Sequence, residues 1–143
     1  MGKLEEIERK QESQTPQLEQ ETEDVTQKIK ELDKKIDDLE NAIKAISDDE
    51  AVRASLNRTL NERQQEKQQE EKRARDIELL IEDLSSELDE YEDINKKSRD
   101  EVTSLQAVED VSDALSFIDQ RESWINQRRD KISDMKDQLK RIG

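Results

Sequence analysis

A chain of 143 residues with 25 Lys or Arg against 39 Asp or Glu carries a formal charge of −14, and it contains no histidine. Charged residues make up 45% of it and the hydrophobic class only 29%. Ordinary globular domains are about 45–50% apolar, so a compact mixed α/β core is excluded.

Leu, Ile, Val and Phe together number 31, close to the level of roughly 20% below which a charged chain stays disordered, so order depends on where they fall. With neither His nor Cys, the chain lacks the parts for a Ser-His-Asp or Cys-His nucleophile, a thiol redox pair, an ordinary zinc site or a carboxylate-histidine di-iron centre. The expectation is a protein without enzymatic activity or cofactor. Gly2-Lys3-Leu4-Glu5-Glu6 is already charged, and no apolar run reaches the length of about 18 residues that a membrane span needs. These features predict a soluble, cytoplasmic chain.

Three places interrupt a composition that otherwise favours helix. At Ser13-Gln14-Thr15-Pro16, Thr15 can cap a helix whose first residue is Pro16, where a missing N–H costs nothing, so a helix starts or kinks there. Ser47-Asp48-Asp49-Glu50 reads as a capping box, with the Ser47 hydroxyl accepting from the backbone of Glu50 and the Glu50 carboxylate reaching back. Ser98-Arg99-Asp100-Glu101 repeats the box with Ser98 and Glu101. The predicted elements are a first helix over about 3–46, a second over about 48–96 and a third over about 99–142, in one domain covering 1–143.

Hydrophobic periodicity supplies the core. In the first helix Leu18, Val25, Leu32 and Leu39 recur every seven residues with Ile29, Ile36 and Ile43 between them, an a/d heptad seam. The second carries Leu56, Leu60, Ile77, Ile81, Leu84 and Leu88 on one register, which also passes through Arg63, Lys67 and Glu70. The third carries Leu115, Ile118, Trp124, Ile125, Ile132 and Leu139. Folded back twice, with turns near 47 and 98, these segments make an all-α, elongated three-helix antiparallel bundle. Contacting residue numbers should then add to about 95 between the first two helices and about 196 between the last two.

The first seam also suits a parallel homodimer zipped over residues 16–46, in which Lys28 would face Asp33 and Lys35 would face Glu40 of the second copy. Exposed pairs of that kind contribute only about 0.2–0.5 kcal/mol each, so burial of the full-length seam favours the bundle. The polar run from Gln64 to Arg75 reads as a solvated helix face, with Lys67 and Arg63 laying their stems over apolar neighbours. Asp48-Asp49-Glu50 lacks the Gly-bearing loop of a calcium site. Lys72-Arg73-Arg75 and Arg128-Arg129 are the basic clusters, too short to make the chain a nucleic-acid binder.

The segment Phe117-Ile118-Asp119-Gln120-Arg121-Glu122-Ser123-Trp124-Ile125-Asn126 resembles the first helix of a spectrin repeat, where an aromatic precedes a Trp-Ile pair in a three-helix bundle. It departs from that pattern in its shorter aromatic spacing and in lying near the C-terminus rather than opening a repeat, so it implies nothing about function. The expected function is geometric: an acidic structural or adaptor module that binds a protein partner, or itself, through exposed helical faces. A third possibility is an acidic decoy that occupies a nucleic-acid-binding protein by presenting carboxylates in place of phosphates.

Overall fold

The computed structural model describes residues 2–46, 48–105 and 111–142. It is a three-helix antiparallel bundle of α1 (Lys3–Ala45), α2 (Glu50–Thr103) and α3 (Ser112–Lys140), with α1 against α2, α2 against α3 and α1 against α3. The described residues contain no strand, and none of the described helices is long and apolar enough to cross a membrane.

The helices are unequal, at 43, 54 and 29 residues, or roughly 65, 80 and 45 Å at 1.5 Å per residue. This inequality shapes the molecule. All three run together only along the middle of α2. There Leu18, Val25, Ile29, Ala74, Ile77, Ile81, Leu84, Leu88, Ile132, Met135 and Leu139 form a buried cluster. Ile7, Tyr91 and Ile125 form a second, and Trp124 packs against both. Ile118 and Leu32 are buried as well. In contrast, Ile36, Leu39 and Ile43 of α1, Leu56 and Leu60 of α2, and Leu115 of α3 are only half-buried.

Three boundaries differ from those the sequence suggests. α1 passes through Thr15-Pro16 without a break, so no helix starts there. Thr15 caps nothing; its side chain is fully buried in the seam. Pro16 and Glu12 both sit on the exposed side. The Glu12 carbonyl, which loses its i+4 donor to the proline ring, therefore remains open to water. Continued burial on either side of the proline, by Ile7 and Leu18, outweighs the local cost. At the first turn the cap is Asp49, whose carboxylate accepts from the Val52 N–H at 3.1 Å, and Glu50 becomes the first helical residue instead of the third; Ser47 lies outside the described residues. Ser98 and Glu101 are not caps, because α2 continues through them to Thr103. Arg99, between them, bridges forward to Asp119 and Glu122 of α3.

Register follows from these boundaries. Contacts between α1 and α2 have numbers adding to between 93 and 100, as in Lys3 with Glu90, Gln11 with Leu84 and Lys67 with Asp33. Contacts between α2 and α3 add to between 213 and 221, as in Asn95 with Ile118 and Arg129 with Glu92, not about 196. Consequently Trp124 and Ile125 lie level with Ile7 and Tyr91, while Ile132, Met135 and Leu139 share the layer of Val25 and Ile29.

Among the described residues, four polar ones complete the seam: Gln11, Thr15, Thr22 and Asn95, all essentially without solvent contact. Two of them cross between helices. Gln11 Nε2 donates to the Leu84 carbonyl at 2.8 Å, and Asn95 Nδ2 donates to the Ile118 carbonyl at 3.2 Å. The hydroxyls of Thr15 and Thr22 have no hydrogen-bond partner. An unpaired buried hydroxyl costs about 1–3 kcal/mol, and valine keeps the shape and the β-branch without the polar atom. Thr22→Val should therefore stabilise the protein by about 1 kcal/mol in urea denaturation followed by circular dichroism. A loss of stability would mean that the hydroxyl is satisfied in solution.

Candidate functional site

Ion pairs run along the helix interfaces. Lys3 pairs with Glu90 at 2.5 Å, Lys28 with Glu70 at 3.3 Å and Lys67 with Asp33 at 2.6 Å, joining α1 to α2. α3 reaches α2 through Arg129 to Asp89 at 2.8 Å and Lys136 to Glu82 at 3.0 Å, and approaches α1 through Lys131 and Glu19 at 3.9 Å. The Arg129 guanidinium, with help from Lys96, holds the Glu92 carboxyl below its ordinary range, and the Asp33 carboxylate pushes the Lys67 ammonium up. Both shifts are what a surface ion pair produces, each with its partner named. No group of three or more acidic residues among those described is arranged to hold a metal ion.

Among the described residues, Tyr91 is the one strongly perturbed buried group. Its ring stacks on Trp124 with centroids 5.0 Å apart and planes tilted by 43°, and its hydroxyl donates to Glu8 Oε1 at 2.5 Å. Burial, and then the Glu8 hydrogen bond and charge, push the phenol above its ordinary value of 10.0. A raised phenol favours the folded state fully below that ordinary value, and the contribution is lost as pH rises through the folded-state value. Because Tyr91 is the sole tyrosine, ultraviolet titration reads it directly. The native protein should show a midpoint above 10, or should unfold before titrating, and Glu8→Gln should lower the midpoint. An ordinary phenol titration in the folded chain would contradict the packing around Tyr91.

The interaction features lie elsewhere. Phe117, the aromatic of the segment that resembles a spectrin repeat, is 54% exposed, with the Arg121 guanidinium over its ring at 4.5 Å. It lines a shallow groove with Leu4 and Ile94 where α1 begins. Leu105, at 54%, and Leu79, at 66%, are exposed as well. Leu79 is absent from the predicted seam, and its i+2 offset from Ile77, off the core-facing row, is the signal that it points outward. The opposite end has a different form. Arg141 and Ile142, which follow α3, lie beside Ile29, Asp33 and Lys67 around a groove of about 1000 Å³. Past it lies the α1/α2 hairpin tip, residues 34–46 and 48–66, in which Ile36, Leu39, Ile43, Leu56 and Leu60 are half-buried.

Of the predicted seam, the structure brings Leu18, Val25, Ile29, Ile77, Ile81, Leu84, Leu88, Ile132 and Leu139 into one interior. It leaves Ile36, Leu39, Ile43, Leu56 and Leu60 in the tip. Compared with models of protein families, with curated proteins and with solved structures, the chain matches none.

Proposed function

We propose that this chain is a non-enzymatic structural or adaptor protein that binds another protein helix on helix, through faces its own helices leave uncovered. The observation that carries this reading is a change of burial along one seam: the same aliphatic spacing that is buried from Leu18 to Leu32 continues only half-buried through Ile36, Leu39 and Ile43. The exposed aromatic at Phe117 supports it from the other end, since aromatic side chains are over-represented among the anchors of protein interfaces. The parallel homodimer needs Leu18, Val25 and Ile29 for its own seam, and these residues are already packed against α2 and α3.

Affinity capture from the native source with the intact chain, beside Leu56→Asp, Leu60→Asp and Phe117→Ser variants, tests the proposal. It predicts a defined partner that survives raised salt and is lost on at least one of these changes. A partner released steeply by salt, whatever the variant, would favour the acidic decoy instead.

A further inference from the structure

We infer that α3 has two seats on α2, one heptad apart, and that the charges at Glu122 and Arg129 select between them.

The observation is a repeat inside α3. Ser116-Phe117-Ile118-Asp119-Gln120-Arg121-Glu122 is followed at once by Ser123-Trp124-Ile125-Asn126-Gln127-Arg128-Arg129. A seam of period seven accounts for the two isoleucines, both buried. It does not account for the matching Ser, aromatic, Gln and Arg around them. The local structure repeats as well: the Arg121 guanidinium lies over the Phe117 ring at 4.5 Å, and that of Arg128 over the Trp124 ring at 5.5 Å. Only the second copy meets Tyr91. Trp124 stacks on it and Ile125 packs with it and with Ile7, whereas Phe117 is 54% exposed.

A step of α3 by seven residues, about 10 Å toward the α1/α2 turn, exchanges the copies. Phe117 and Ile118 then take the places of Trp124 and Ile125, Ile125 that of Ile132, and Ile132 that of Leu139. Side chains of the same kind fill these places, so the apolar layers from Tyr91 to Ile77 stay occupied. The connection between Thr103 and Ser112, residues 104–111, reaches roughly 25 Å when extended and allows the step. The first seat keeps some advantages. Leaving it moves Trp124 to the exposed place of Lys131 and Leu139 to the level of Glu70, and takes Arg99 away from Asp119 and Glu122.

The seventh residue of each copy makes the choice. Arg129 meets Asp89 at 2.8 Å, and also Glu92. After the step Arg129 comes level with Glu82, and Lys136, now at 3.0 Å from Glu82, comes level with Glu78. Those two cations find new acids. Glu122, however, enters the place of Arg129 and faces Asp89 and Glu92 with like charge, which opposes the step. Two packings of one chain that differ by a few such contacts make a bistable element. The step would also withdraw Phe117 onto Tyr91. That consequence for partner binding rests on the function proposed above, whereas the two seats do not.

Because the chain has no cysteine, introduced pairs report the seat. Ser85 of α2 and Ser133 of α3 line one niche with Ile132, and after the step Asn126 stands where Ser133 is now. With native charges, Ser85→Cys/Ser133→Cys should form a disulfide under mild oxidation at least about tenfold faster than Ser85→Cys/Asn126→Cys. Glu122→Arg/Arg129→Glu should reverse that preference and shift Trp124 emission to the red. Asp89→Lys/Glu92→Lys, which inverts the facing wall and leaves α3 untouched, should do the same. No reversal in a charge variant that stays helical by circular dichroism would overturn the inference. Loss of helix in both variants would overturn it too, since the second seat then holds nothing; if one unfolds, the other decides. A native partner still captured by a variant that has stepped would remove Phe117 as its anchor and leave the two seats standing.

Discussion

Truncating Leu84 to alanine should destabilise the protein by about 2–5 kcal/mol, whereas the same truncation at Leu60 should cost about 1 kcal/mol. Both are leucines in the interior of α2 on one heptad seam, so helix propensity and chemistry cancel in the comparison and environment alone remains. Leu84 has no solvent contact and sits in a cluster to which all three helices contribute, where neighbours relax little into the space vacated. Leu60 is half-buried with two helices around it, and water fills whatever alanine leaves. Urea denaturation gives both values. Trp124, the sole tryptophan, packs beside Tyr91 in the three-helix section, so its fluorescence reports that section, while circular dichroism reports all helices. Equal costs at the two positions would mean that the tip is covered in solution, either by itself or by a second copy. The same contrast predicts that amides over residues 34–66 exchange with solvent at a lower opening free energy than those of residues 77–91.

This division into a sealed middle and a thinner tip could not be read from the sequence, although the seam could. Sparse aliphatic residues at heptad spacing specify all-α structure, and the short connection between Ile46 and Asp49 leaves α1 and α2 essentially one antiparallel register, near the expected sum of 95. The second register had no such constraint. Moving α3 along α2 by about three heptads returns apolar residues to the same positions, so a pattern of period seven cannot distinguish a sum of 196 from one near 217. What distinguishes them is polar and specific. Asn95 donates to the Ile118 carbonyl, and Arg99 and Arg129 each meet two acids across the interface. The box at Ser98–Glu101 pointed the wrong way for a local reason: a residue set that can cap a helix is also acceptable inside one, and extending α2 to Thr103 gained the Arg99 bridges that a turn at 98 would have removed. Gln11, Thr15, Thr22 and Asn95 are polar, so hydrophobic periodicity does not mark them as seam residues. Their spacing carried the signal, since position 22 falls between Leu18 and Val25 and position 11 falls four after Ile7.

Replacing Pro16 with alanine should stabilise the protein by about 2 kcal/mol. Proline inside a helix costs about 3 kcal/mol relative to alanine, through the hydrogen bond it cannot donate and the clash of its ring with the preceding turn. The opposing effect is smaller. Alanine gives the unfolded chain more freedom to lose, which returns about 0.4–1 kcal/mol. Position 16 is exposed, so the substitution removes little buried surface, and alanine can restore the bond to the Glu12 carbonyl. Thr15 and Leu18, buried on the seam beside it, keep their places if α1 has the same path with or without the ring. Urea denaturation measures the gain, and amide exchange locates it: protection should rise from about residue 12 to 20 and remain unchanged in the tip. A neutral or destabilising result, with Trp124 fluorescence altered, would mean that the proline sets a bend on which the seating of Gln11 against Leu84 depends. In that case the proline contributes to the register of α1 on α2, and the helix it interrupts is shaped by it instead of merely tolerating it.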